Sequence, residues 1–218
     1  MSIARRYTPA HVERRAAEVR QQCVAALHLY QVPLPIPVDE WVERPLGIDF
    51  SVVDLRPSWT PVSVVLGDAE PRQRRIRVHE EWTSDSQFRF TVAHELGHVI
   101  LHQEDALFRD GSPEPAGRDP KEREADHFAY AFLMPVELVV REVFSVCMKE
   151  KIDPLRLVGS TAAAKRRHLA IWKRTVIPHL MKRFGVSRKV AICRLRHVDR
   201  ETAEPFIPDR LREKLLKK

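Results

Sequence analysis

The stretch FTVAHELGHVILH, from Phe90 to His102, places three histidines and a glutamate inside an otherwise apolar segment. Ser84 and Gln87 have the spacing of a capping box, which predicts a helix that begins there and continues to about His102. Apolar side chains fall on two nearly opposite sides of this helix, which indicates that it is buried. The core of the protein must therefore provide partners for the imidazoles and the carboxylate.

His94 and His98 are four residues apart and project from one face of that helix, one turn apart. Two imidazoles at this spacing can hold one tetrahedral Zn²⁺, and the intervening Glu95 can reach a water in an open position. The competing interpretation is a pair of part-buried histidines held by backbone or carboxylate partners. We favour zinc at His94 and His98 with Glu95 as general base. His102, in the last turn, is expected to interact with free helix-end carbonyls instead.

A hydrolytic zinc needs a third protein ligand, and a second predicted helix, at residues 118–135 with the sequence RDPKEREADHFAYAFLMP, offers candidates. On a helical wheel Glu122 falls inside the apolar arc and Glu124 on the far side. We therefore predict Glu122 as the ligand and Glu124 as an exposed side chain. Asp126 is placed to hydrogen-bond the free nitrogen of a ligating histidine. Tyr130 is a weaker candidate, as a hydrogen-bond donor to an oxyanion.

Short strands are predicted before the histidine helix in IDFSVVDL, VSVVLGD and RRIRVHE. The last of these alternates apolar and polar residues, and we expect it to pair with an extended substrate as an added strand. Gly97 lies in mid-helix, where glycine costs about 1 kcal/mol relative to alanine. This fits a position where a side chain would block the close approach of a backbone. The loop after His102 is the one long loop predicted.

The net charge of +7 is unevenly placed in the 218 residues. From Lys165 to the end there are 17 Lys and Arg residues against 5 Asp and Glu residues. This asymmetry predicts either a surface for nucleic acid or an acidic partner, or simply a solvated basic tail.

The cysteines and the hydropathy exclude several classes of protein. Cys23, Cys147 and Cys193 are odd in number and far apart, which argues against a disulfide framework or a thiolate metal site. No segment approaches the roughly 18 uninterrupted apolar residues of a membrane span, and the N-terminus lacks the apolar region of a signal peptide. We therefore expect a cytoplasmic protein.

With HELGH at His94–His98 and EREAD at Glu122–Asp126, the chain resembles the ImmA/IrrE family of cytosolic zinc-dependent metallopeptidases. RFTVAHELGHVILH matches the family's R-F-T-x-A-H-E-L-G-H-x-x-L-H. EREADHFAYAFLMP is similar to the family's E-x-E-A-N-x-F-A-x-x-L-L-M-P, with Asp126 in place of the usual Asn. The resemblance extends from about Pro35 to Leu195.

The resemblance implies an α+β, gluzincin-like fold. In such a fold a small mixed or antiparallel sheet accompanies the H-E-x-x-H helix, and a second helix carries the glutamate ligand. It also implies zinc at His94, His98 and Glu122, with Glu95 as general base. Known members cleave a helix-turn-helix repressor and so relieve its block on mobile-element, phage or stress-response genes. The expected function is therefore that of an anti-repressor zinc endopeptidase.

We predict three regions: an N-terminal helix at 1–33, a zincin-like domain at 34–150, and a mostly helical, basic region at 151–218. The last includes a helix-turn-helix-like segment at 176–196. An alternative function is therefore a DNA-binding transcriptional regulator with a structural or sensory zinc site. A zinc hydrolase acting on a non-peptide amide would use the same residues. In the regulator, Gly185 would form the turn, Ser187 would cap the next helix, and Arg188, Lys189, Arg194 and Arg196 would meet phosphates.

Overall fold

The histidine helix and its neighbours lie in the first of two units of the chain, residues 1–133 and 134–218. The computed structural model describes residues 7–56, 65–103, 108–109, 119–153, 157 and 169–197. Within these ranges, no helix combines the length and the apolar character needed to cross a membrane. The predicted three-part domain division stays a prediction.

The first unit combines helices with a small mixed sheet, so the predicted α+β class is confirmed. The strand order is β1-β3-β2-β4, with β3 parallel to β1, and β2 antiparallel to both β3 and β4. The strands are β1 (Asp49–Val53), β2 (Gly67–Glu70), β3 (Arg75–His79) and β4 (Phe108–Arg109). The helices are α1 (Pro9–Ala26), α2 (Val38–Glu43), α3 (Asp85–Leu101) and α4 (Pro120–Leu133).

The strand β3, which lies within the predicted RRIRVHE strand, has a neighbour on each side. Ile76 is in register with Phe50 of β1 and with Ala69 of β2. Both edges of β3 are therefore already hydrogen-bonded, and the prediction that it pairs with a substrate strand is wrong. The strand predicted in VSVVLGD begins only at Gly67, with residues 62–64 outside the described part. β4 lies within the segment predicted as a long loop.

The start of α3 follows the capping prediction. The Ser84 hydroxyl oxygen accepts a hydrogen bond from the Gln87 N–H at 3.3 Å, and the Gln87 side chain accepts one from the Thr83 N–H at 2.7 Å. Every residue from Thr91 to Val99 is buried, which confirms that this helix lies in the core. The helix ends at Leu101, so His102 is its C-terminal cap.

Helices α3 and α4 pack closely at Gly97. A Cβ atom at Gly97 would lie 3.1 Å from the Cα atom of Ala125 and 3.2 Å from its carbonyl oxygen. The backbone that approaches Gly97 is therefore that of α4. The core face predicted for α4 is buried as expected, and it comprises Ala125, Phe128, Ala129, Phe132 and Leu133.

The second unit is helical in its described residues. Its helices are α5 (Val136–Lys149), α6 (Ile177–Phe184) and α7 (Arg188–His197), with a π-helical segment at Trp172–Val176. Gly185 ends α6 with φ at +65°, and the Ser187 hydroxyl accepts a hydrogen bond from the Val190 N–H at 3.3 Å. The predicted turn and cap are confirmed. The basic tail after Val198 lies outside the described residues.

Helix α7 is a core helix over most of its length. All residues from Val190 to Leu195 are buried, including Arg194, which is 0% exposed. The Arg194 Nε–H donates a hydrogen bond to the carbonyl oxygen of Met134 at 2.7 Å. The prediction that Arg194 contacts phosphates is therefore wrong, since its guanidinium group is committed inside the unit.

Glu142 of α5 is a buried carboxylate that lies among basic side chains, with Arg141 Nη2 3.6 Å from one of its oxygens. His179 Nε2 lies 2.8 Å from one carboxylate oxygen, and the Arg183 Nε–H donates to the other at 3.2 Å. Burial alone would raise the pKa of Glu142, but these two hydrogen bonds outweigh it and hold the pKa below its ordinary value of 4.5. A carboxylate with a lowered pKa stabilises the folded state above the unfolded-state pKa, and this contribution disappears as the pH falls through the folded-state value.

We expect Glu142→Gln to lower the free energy of unfolding by about 1 kcal/mol at pH 7, because both partners are partly exposed and solvent screens the interaction. Urea unfolding of both chains at several pH values measures the difference, which should shrink as the pH falls below about 4. Glu18→Gln, which removes an exposed ion pair with Arg15 on α1, is the control and should have a smaller effect. An equal loss at all pH values would contradict the prediction.

Candidate metal centre

Three side chains from α3 and α4 converge on one point. His94 Nε2 lies 3.1 Å from His98 Nε2 and 3.2 Å from Glu122 Oε2. His98 Nε2 lies 3.3 Å from the other oxygen of Glu122. Among the described residues, this is the group of His, Cys, Asp or Glu side chains whose ligand atoms are close enough to hold one metal ion. The structure thus brings together the residues predicted as ligands.

The spacing of these donors fits a small tetrahedral ion. Ligand atoms at about 2.0–2.1 Å from a tetrahedral metal lie about 3.3 Å from one another. The two imidazole nitrogens lie 3.1 Å apart, and each lies 3.2 or 3.3 Å from a different oxygen of Glu122. The three side chains therefore lie close enough together to hold one small ion.

The electrostatics of the cluster also suit a cation. Burial lowers the pKa of His98 to about 4, which keeps its ring neutral. Burial alone would raise the pKa of Glu122, but hydrogen bonds to His94 and His98 outweigh it and hold the pKa below its usual range. A metal requires a neutral imidazole and an ionised carboxylate. Burial opposes protonation of His94, yet hydrogen bonds to Asp126 and Glu122 raise its pKa, so the same anions favour positive charge there.

Asp126 and Tyr130 are one turn apart on α4. Asp126 Oδ1 lies 3.1 Å from Nδ1 of His94, the nitrogen that faces away from the convergence point. A carboxylate at this place accepts a hydrogen bond from the Nδ1–H and so leaves the Nε2 lone pair for a metal. The Tyr130 ring packs against Phe90 with a centroid distance of 5.4 Å.

His102 and Glu124 differ from the sequence predictions. The His102 ring was predicted to interact with carbonyl groups at the helix end, but it contacts two side chains. Nδ1 of His102 lies 3.1 Å from Nδ1 of His98, and Nε2 of His102 lies 3.1 Å from Glu124 Oε2. Glu124 is buried, with 8% exposure, and its other oxygen accepts a hydrogen bond from the Tyr7 N–H at 2.9 Å. Tyr7 therefore lies against the face of α4 that the helical wheel places in solvent. The Glu122 side chain is the more exposed of the two, at 19%.

Gly67 is a site residue that the sequence analysis missed. Glu95 is 0% exposed, and a Cβ atom at Gly67 would lie 2.8 Å from its Oε1 atom. The same Cβ would lie 2.8 Å from Cγ2 of Thr91. The start of β2 thus contacts the carboxylate through bare backbone. A glycine at the edge of a predicted strand, where a close approach is common, is the signal that could have found it.

The model of a known protein family matches the part of the chain that contains α3 and α4. It is described as Peptidase M78, IrrE N-terminal-like domain, and it covers residues 51–196. The chain belongs to this family. The ImmA/IrrE resemblance is therefore confirmed, and membership supports a peptidase in general terms.

The chain was also compared with curated proteins and with solved structures. No curated protein matches the chain. Among solved structures, a Mycobacterium tuberculosis transcriptional regulator is similar with 17% sequence identity and a TM-score of 0.44. The alignment covers 91% of this chain and 54% of that one, so this chain spans about half of the length of the regulator.

We expect Glu122→Ala to lower the affinity for Zn²⁺ by more than about 100-fold, beyond the loss typical of residues that only orient a ligand. The reason is that it removes the one donor that α4 contributes to the group. Competition with a chromophoric chelator measures the affinity. Glu18→Ala, an exposed glutamate of α1, is the control. Equal affinity of Glu122→Ala and the unaltered chain would rule out the assigned ligand set.

Proposed function

We propose that the chain is a zinc-dependent endopeptidase that cleaves a helix-turn-helix repressor protein. The observation that carries this proposal is the convergence of His94, His98 and Glu122 beside a buried carboxylate, Glu95. Membership of a peptidase family supports the reaction type. The repressor substrate is the one that the resemblance to the ImmA/IrrE family implies.

Zinc is the metal that best suits this donor set. Two imidazole nitrogens and one carboxylate oxygen on a tetrahedral ion leave one position open, which is the arrangement of a catalytic zinc site. When bound there, zinc supplies an acidic water and polarises the carbonyl group of the scissile bond. His94, His98 and Glu122 would hold it.

The other side chains handle the proton and the geometry. Glu95 would accept a proton as general base. Its carboxylate lies close to the backbone of Gly67, at the start of β2. Asp126 would keep the proton of His94 on Nδ1 through the contact of 3.1 Å. Tyr130 is proposed as a hydrogen-bond donor to the oxyanion because it follows Asp126 by one turn on the same helix.

An extended substrate would add to an outer strand of the sheet, since β3 is enclosed. Of the two outer strands in the described part of the sheet, β4 pairs with β2, and β2 begins at Gly67 beside Glu95. A substrate strand added to β4 would therefore lie on the side of the sheet where β2 contacts Glu95, the proposed general base. The other outer strand, β1, is separated from β2 by β3.

The alternative, a DNA-binding regulator, gains no support from α7. Its residues Val190–Leu195 are buried, whereas a recognition helix presents polar side chains to the major groove. An affinity for duplex DNA that falls steeply with salt, together with an absence of cleavage, would favour the regulator. A zinc hydrolase for a non-peptide amide would cleave small amides and leave repressors intact.

We expect Glu95→Gln to retain zinc but to lose cleavage, because the amide keeps the shape of the side chain and cannot accept the proton. The zinc-loaded proteins are incubated with purified helix-turn-helix repressors, first any encoded beside the gene, and the products are identified by mass spectrometry. Zinc content is measured on the same samples. Cleavage by Glu95→Gln at the unaltered rate would show that the proposed mechanism is wrong.

We expect Gly67→Ala to reduce cleavage by about 100-fold while zinc is retained, because the new methyl group displaces the Glu95 carboxylate and small misplacements are costly. Thr91→Ser removes the Thr91 Cγ2 atom that this methyl group would meet and leaves its two contacts with Glu95. The double variant of Gly67→Ala and Thr91→Ser should stay defective, and Thr91→Ser alone should remain active. Recovery of cleavage in the double variant would mean that Gly67 serves packing alone.

A further inference from the structure

We propose that His102 and Glu124 are positioning residues that orient the metal ligand His98. This inference rests on the proposed metal site. The three side chains form a chain of contacts: His98 Nδ1 to His102 Nδ1 at 3.1 Å, and His102 Nε2 to Glu124 Oε2 at 3.1 Å. The second oxygen of Glu124 accepts the hydrogen bond from the Tyr7 N–H at 2.9 Å. We call these three side chains the His98 relay.

The chemistry of the ligand sets the direction of the relay. Nε2 of His98 faces Glu122 and Nε2 of His94, so a metal there takes its lone pair and the proton of His98 stays on Nδ1. That N–H donates to Nδ1 of His102, which must therefore be an acceptor. His102 then carries its proton on Nε2 and donates it to the carboxylate of Glu124. One set of proton positions satisfies all of these contacts.

Each of the two proposed histidine ligands thus has a carboxylate behind its Nδ1 atom, one in direct contact and one through a second ring. Asp126 contacts Nδ1 of His94 directly, whereas the carboxylate of Glu124 reaches His98 through the ring of His102. A carboxylate behind a ligating imidazole fixes its tautomer and increases its basicity. The relay is buried, with 1% exposure at His98, 5% at His102 and 8% at Glu124, so solvent screens these contacts little.

Tyr7, two residues before α1, contacts the outer end of the relay. Besides its N–H contact with Glu124, the Tyr7 hydroxyl donates to the carbonyl oxygen of Leu101 at 3.0 Å. Its ring stacks on His11 with a centroid distance of 4.6 Å. Tyr7 therefore ties the end of α3 to α4 at the point where the relay joins them. Through these contacts Tyr7 supports the proposed metal site from outside the two helices.

The test compares the relay with a second histidine–glutamate pair, which is part-buried and joins α4 to α1. His127 Nε2 of α4 lies 3.0 Å from Glu13 Oε1 of α1, so its loss reports the structural cost of such a pair. The variants are His102→Leu and Glu124→Gln, with His127→Leu and Glu13→Gln as matched controls. His102→Asn tests rescue, because its side-chain oxygen can replace Nδ1 as the acceptor for His98.

Two readouts on the full-length chain separate positioning from stability. We expect His102→Leu and Glu124→Gln to lower the affinity for Zn²⁺ by about 10- to 100-fold in chelator competition, with the controls near the unaltered value. We expect His102→Asn to recover part of the affinity that His102→Leu loses. The visible spectrum of the Co²⁺-loaded chain should change in the relay variants and not in the controls, since it reports the ligand geometry.

The outcomes distinguish this inference from the proposed function. If the relay variants lose no more Zn²⁺ affinity than the control variants, the inference is overturned, even if all of them unfold more easily. If the relay variants lose affinity but no repressor is cleaved by the unaltered chain, the relay stands and the peptidase proposal fails. If the unaltered chain binds neither Zn²⁺ nor Co²⁺, both are overturned.

Discussion

The contact between α3 and α4 at Gly97 is the constraint on which the site depends. Because Gly97 has no side chain, the backbone of Ala125 comes close enough for α4 to bring Glu122 to the two histidines of α3. The distances among the three candidate ligands would leave little tolerance for a bound metal, since a metal bond length varies by a few tenths of an ångström. A residue with a larger side chain at this crossing would separate the histidines of α3 from Glu122 of α4.

The polar groups around that crossing form a network in which each member supports another. Such a network is stable inside a protein only when it is nearly complete, because a buried polar group without a partner is costly. Asp126 contacts the ring of His94, whereas His102 contacts the ring of His98 and is itself in contact with Glu124. These contacts leave the Nε2 atoms of both ligating rings directed at Glu122, where a cation suits the surrounding charge.

Several features could be predicted because they depend on one element alone. Capping by Ser84 and the end of α4 before Pro135 follow from local backbone chemistry. His94 and His98 share a face because of the helical period, and the family motifs carry the reaction type. The wheel position pointed to Glu122, which lies in the group that could hold a metal, but the prediction that Glu124 is exposed is wrong. A wheel describes how one helix presents its own apolar arc and cannot show which other segment covers the opposite face.

By itself, the sequence determined the helices, their caps and the residue types that a metal site needs, because these follow from periodicity and short-range hydrogen bonding. Tertiary structure alone decided the contacts of His102, Glu124 and Gly67, whose partners are distant in the sequence or in another element. It also enclosed β3 between two strands and buried Arg194 in α7. The physical reason is that strand order and burial depend on which surfaces meet, and an isolated segment does not specify the surface that will meet it.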